Sequence, residues 1–104
     1  MRTESEIRDW LTRKYVSPHR LHLTLDDIDH IAMCLYHIGR WYFEGYPLGS
    51  FLSAVVRNDF REACLRADDI NQRALPIYAM FCVNHIGHDY IDKANGKLAK
   101  QEIE

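Results

Sequence analysis

Between Thr24 and Gly45 the apolar and small residues recur three and four apart: Ile28, Ile31, Ala32, Leu35, Ile38, Gly39 and Tyr42. That spacing puts all of them on one face of an α-helix. Thr24 stands where an N-cap hydroxyl accepts a first-turn N–H, and Asp26 and Asp27 follow where the helix dipole favours negative charge. Gly45 supplies a residue able to end the helix in a left-handed turn, and Pro47 cannot continue it. A helix over Leu25–Glu44 is therefore predicted. In a chain of 104 residues it is the largest single element, and its apolar face needs partners.

The remaining elements read in the same way. Thr3 and Glu6 have the spacing of a capping box, and Ile7, Trp10, Leu11 and Tyr15 share a face, which predicts a helix over Glu4–Tyr15. Val16–Leu23 contains Pro18 and no periodicity, and reads as a connector with an extended piece. Gly49-Ser50 opens a short apolar segment through Phe51, Leu52, Ala54, Val55 and Val56, which Asn58-Asp59 ends. Asp59 with Glu62 starts another short helix through Cys64 and Leu65, and Asp68-Asp69, with Gln72, caps the next. Ile70, Leu75, Ile77, Tyr78, Phe81, Cys82 and Ile86 continue it, with a kink or a short preceding turn expected at Pro76 and a stop at Gly87. In Asp89–Glu104, Ile91, Ala94 and Leu98 keep helical spacing among many charges, so this segment reads as a marginal helix or frayed tail. No strand alternation is found. The predicted fold is all-α: one domain over residues 1–104, a compact bundle of five or six helices, two of them long.

Charge and composition limit the function classes. The net charge is −2, and residues 24–71 carry eight acidic and four basic side chains. This is the wrong sign for a groove that tracks phosphates, so general nucleic-acid binding is not expected. No apolar run is long enough to span a bilayer, and the polar start MRTESEIRDW does not read as a signal peptide, so no membrane contact and a cytoplasmic location are expected. Three cysteines, Cys34, Cys64 and Cys82, are widely spaced among apolar residues and read as small buried hydrophobes.

The stretch Tyr46–Asn71 is the most distinctive. Gly49, Ser50, Phe51, Leu52, Ala54, Val55, Asn58, Asp59, Phe60, Ala63, Arg66, Ala67 and Asp68 form the pattern G-S-F-L-x-A-V-x-x-N-D-F-x-x-A-x-x-R-A-D. It resembles a motif, G-[GS]-F-L-x-A-V-L-x-N-D-[LF]-x-x-A-x-x-R-A-D, of small bacteriophage proteins. The resemblance covers about a quarter of the chain. It implies an accessory protein that acts on host machinery in the host cytoplasm, and it brings no catalytic residues with it.

Two features of the stretch and its approach point to binding. Trp41, Tyr42, Phe43, Tyr46 and Phe51 crowd aromatics around a helix end and turn, too many for one buried face, so some are expected at a ligand, partner or subunit surface. The Gly49-Ser50 helix start offers unpaired N–H groups to an anion, with Arg57 and Arg66 close in sequence to fork the same ligand. The alternative is that Ser50 caps its own helix and Arg66 pairs with Asp59 or Asp68. Candidate ligand-binding residues are therefore Trp41, Tyr46, Gly49, Ser50, Arg57 and Arg66.

Catalytic and metal signatures are weak. His19 and His22, His85 and His88, and His30 and His37 have ligand-like spacings, but no Cys or Glu accompanies them at zinc-motif distance. His88-Asp89 resembles the HD pair of metal-dependent phosphohydrolases, yet the only later aspartate is Asp92, one turn on. No G-x-S-x-G elbow or activated cysteine is found. The sequence reading is a binding protein without metal or cofactor: an oligomeric anti-defence factor that sequesters a nucleotide signal. A host-protein antagonist using the acidic central segment comes second, and a small metal-dependent phosphohydrolase third.

Overall fold

The computed structural model describes residues 3–15 and 24–96. The connector expected over Val16–Leu23, with His19 and His22, and the end of the expected tail, with Leu98, lie outside the described residues. The described residues form six α-helices and one π-helical turn: α1 (Glu4–Tyr15), α2 (Leu25–Glu44), α3 (Ser50–Val56), α4 (Phe60–Arg66), α5 (Asp69–Phe81), the π turn Cys82–Ile86, and α6 (Tyr90–Ala94). No strand occurs among the described residues.

Local hydrogen bonds account for where these helices begin. The Glu6 N–H donates to Thr3 Oγ1 at 3.2 Å at the start of α1. At α2 the box is reciprocal: the Asp27 N–H donates to Thr24 Oγ1 and the Thr24 N–H to Asp27 Oδ2, both at 3.1 Å. Asp59 Oδ1 accepts the Glu62 N–H at 3.3 Å, and Asp68 Oδ1 accepts the Asn71 N–H at 2.8 Å. Asp68, rather than Asp69, is thus the cap of α5.

The helix ends are equally local. Gly45, at φ 79°, closes α2, its N–H donating to the Trp41 carbonyl at 3.1 Å. At the end of α3 the left-handed residue is Asn58, at φ 63°. Its N–H donates to the Val55 carbonyl and that of Asp59 to the Ala54 carbonyl, which is the Schellman arrangement with asparagine in the glycine position. The residue that ends α3 therefore hands the chain directly to the cap of α4.

The apolar stripes of α1, α2 and α5 meet in one core. Ile7 and Leu11, then Ile28, Ile31, Leu35 and Ile38, then Ile77, Tyr78, Phe81 and Cys82, are all fully buried. α1 packs most extensively on α2, and Arg8 Nε reaches Asp29 Oδ1 at 2.9 Å across their exposed edge. Inside the core the Tyr78 hydroxyl donates to Asn71 Oδ1, so the buried phenol has its partner on the same helix. α5 runs through Pro76 from a start seven residues earlier, which excludes the short preceding turn. The proline ring is on the exposed side. The helix widens into the π turn before Gly87, so α5 and the turn together supply the second long helical run. α6 is only five residues long, and Asn95 ends it.

Candidate ligand-binding groove

The short helices α3 and α6 lie beside the C-terminal end of α2, and a groove of about 350 Å³ opens between them. Trp41 lines it from α2, Pro47 and Leu48 from the connection, Ser53, Val56 and Arg57 from α3, and Ala94 from α6. Side-chain bonds fix these walls. The Ser53 hydroxyl donates to the Leu48 carbonyl at 3.4 Å and holds the connection against α3. Asn95 Nδ2 donates to the Arg57 carbonyl at 3.2 Å, which ties the end of α6 to the end of α3. The Tyr42 hydroxyl donates to Asp89 Oδ1 at 2.5 Å, and Lys93 Nζ lies 4.9 Å from the Tyr42 ring centre, which ties α6 to α2. That hydrogen bond to a carboxylate holds the Tyr42 phenol above its ordinary range.

Of the six candidate residues, the groove brings Trp41 and Arg57 together. Arg57 Nε donates to the Ser53 carbonyl at 3.2 Å, and its guanidinium has no carboxylate partner among the described residues. Tyr46 sits at the same end of α2, half exposed, but Arg40 covers one face of its ring with the guanidinium 3.8 Å from the centroid. A stacking platform on that face is therefore already occupied.

The helix start corrects the expectation that Ser50 caps α3. Gly49, not Ser50, is the N-cap residue, and no side chain caps α3. Gly49 has φ −70°, and a Cβ there would meet nothing within 4 Å, so neither a left-handed turn nor a close approach requires the glycine. Ser50 is the first helical residue and is exposed. Arg57 stands at the opposite end of this seven-residue helix. At 1.5 Å rise per residue the two positions are about 10 Å apart along the axis, and the Arg57 side chain lies back along the helix with Nε on the Ser53 carbonyl. Arg66 does not line the groove. It pairs with Glu62, Nε to Oε2 at 2.9 Å, rather than with Asp59 or Asp68, because Glu62 is one turn away on the same helix face while both aspartates serve as caps.

The aromatic run divides between core and surface. Trp41, Tyr42 and Phe51 are half-buried against the core, whereas Phe43 and Tyr46 are exposed. Residues missed from the sequence are Pro47, Leu48, Ser53, Val56 and Ala94. Ser53, Val56 and Arg57 follow the i, i+3, i+4 spacing of one helix face, a signal that was available. Ala94 arrives from a helix 37 residues beyond Arg57, and no local pattern announces it.

One polar cluster was not foreseen. His30 Nε2 lies 3.9 Å from Cys34 Sγ and 3.9 Å from Asp68 Oδ2. Both contacts use the same ring nitrogen, whereas a relay needs one partner on each nitrogen. Burial also pushes the Cys34 thiol up, away from the thiolate. Cys82 is buried and its thiol is pushed up to about 12, while Cys64 is only half-buried, which corrects the expectation of three buried thiols. Among the described residues no group of three or more His, Cys, Asp or Glu side chains is arranged to hold a metal ion. No helix of the described residues is long and apolar enough to cross a membrane. Compared with protein-family models, curated proteins and solved structures, the chain matches none.

Proposed function

We propose that this chain is a small-molecule binding protein whose Trp41–Arg57 groove takes a nucleotide-type ligand. The observation that carries the reading is an arginine without a carboxylate partner among the described residues, opening on the same groove as an indole. An aromatic face suits a base, and a guanidinium without a carboxylate partner suits a phosphate in a way a lysine would not match. A volume of about 350 Å³ falls at the lower end of small-ligand pockets, which favours a mononucleotide-sized occupant. The resemblance to bacteriophage proteins supports a host-directed role, with the ligand a host signalling nucleotide that the protein sequesters as an anti-defence factor.

The test is a thermal-shift series with linear and cyclic mononucleotides, followed by titration of whichever raises Tm. Arg57→Ala should weaken binding of that nucleotide by about tenfold or more, as loss of a charge-assisted hydrogen bond does. Added salt should weaken it as well. A flat response across the series would sink the ligand reading. It would favour antagonism of a host protein, a second reading supported by the outer face of α2, where exposed Leu25 and Met33 alternate with Asp26 and Asp29.

A further inference from the structure

Phe60, the first residue of α4, is 72% exposed. It stands at the lip of a cleft of about 100 Å³ lined by Ala54, Ala63, Leu75, Ala79 and Tyr90. The same side continues outward through Pro76 and Met80 of α5 and Val83 of the π turn, all exposed. An enclosed apolar cavity of about 150 Å³ holds a benzene ring, so an open cleft of this size receives most of a phenyl side chain. A knob and a matching hole thus lie side by side. Opposite charges flank the knob: Asp59 precedes it, and Arg61 follows without an ion-pair partner among the described residues.

We propose that this face is the contact of a two-fold dimer, in which Phe60 of each copy enters the cleft of the other and Arg61 meets the partner's Asp59. A two-fold contact requires one patch to complement itself, and a patch with its own knob, hole and both charges does so. A hole alone would fit any helix. An exposed phenylalanine beside it and a charge pair of reversed order around it fit a second copy. Phe60, Met80, Val83 and their alanine and proline neighbours expose on the order of 400 Å² of apolar surface. A stable contact takes about 800 Å² per partner, a little over half of it apolar, so the patch has the extent needed. The proposal builds on the self-association expected from the sequence and moves it from the aromatic turn to the α4–α5 cleft. It is independent of what the Trp41–Arg57 groove binds, since the groove and the cleft share no lining residue.

Sedimentation velocity of the full chain over micromolar to hundred-micromolar concentrations tests it. The wild-type chain should be a dimer at tens of micromolar. Phe60→Asp should raise the dimer dissociation constant at least about 30-fold, as loss of a hot-spot aromatic does. An acidic residue is favoured in a first helical turn, so that variant keeps its fold, which circular dichroism checks. Ala79→Glu, which fills the hole from the other side, should act alike, while Leu25→Asp, exposed at the start of α2 and outside the cleft, should leave the dimer intact. A monomeric wild-type chain overturns both self-association and this surface. A dimer that survives Phe60→Asp and Ala79→Glu, or dissociates on Leu25→Asp, overturns the surface alone.

Discussion

Gly87→Ala should destabilise the fold although the backbone at that position accepts any residue. Gly87 has φ 173°, which is extended chain, so no strain follows from adding a side chain. The damage is a collision. A Cβ would stand 2.6 Å from Tyr42 Oη, 2.9 Å from Asp89 Oδ1 and 3.0 Å from Tyr42 Cζ. The first two of these atoms are the two ends of the hydrogen bond that ties α6 to α2. The ring behind the hydroxyl packs against the core, so Tyr42 cannot withdraw freely. Either the bond breaks or the π turn shifts. A hydrogen bond to a charged group is worth about 1.5–3 kcal/mol, and its solvent exposure reduces that toward 1 kcal/mol. Forced overpacking adds a comparable amount, so a total of about 1–3 kcal/mol is expected. For a chain of this size that lowers Tm by about 5–15 °C. Thermal unfolding followed by circular dichroism measures it. Tyr42→Phe removes the atom struck hardest, so Gly87→Ala should cost at least about 0.5 kcal/mol less in the Tyr42→Phe background. Strict additivity, or an unchanged Tm for Gly87→Ala alone, would refute the steric argument.

Three further outcomes are expected. Asp59→Ala should cost about 0.5–2 kcal/mol through loss of the α4 cap, and Asn58→Gly should be neutral or stabilising because φ 63° suits glycine, whereas Asn58→Ala should cost about 1 kcal/mol; chemical denaturation separates the three. Arg66→Ala breaks an exposed pair one turn apart and should change stability by no more than about 0.5 kcal/mol, with nucleotide affinity unaltered, in contrast to Arg57→Ala. Stability should also fall in alkali: burial raises the Cys82 thiol from 9.0 to about 12 and the Tyr78 phenol well above its ordinary value, so the unfolded chain loses protons that the folded chain keeps as pH rises above 9. For Cys82 the effect is on the order of 4 kcal/mol spread between pH 9 and about 12, and a flat denaturation midpoint over that window would contradict it.

A cap acts over three residues, and this is why so much of the fold could be read from the chain. Thr24, Asp59 and Asp68 each bond an N–H three positions ahead, so the helix starts they set depend on no distant contact. The same holds for the end of α2 at Gly45 and for the apolar stripe from Ile28 to Ile38, whose helical period follows from backbone geometry alone. The all-α class and the bounds of α1 and α2 were determined at that level. The site was not. Ala94 joins Trp41 and Arg57 in one groove because Tyr42 reaches Asp89, 47 positions on, and Asn95 reaches back 38 positions to Arg57. Gly87 is needed for the room it leaves Tyr42, not for its own dihedrals, and no local pattern shows that. Arg66 was expected to pair with Asp59 or Asp68, but both are engaged as caps and it takes Glu62, one turn away within α4, a spacing that was itself legible in the sequence. Tertiary structure decided the groove and the room at Gly87 because side-chain contacts between helices depend on how the helices pack, and periodicity records which face is buried without recording against what.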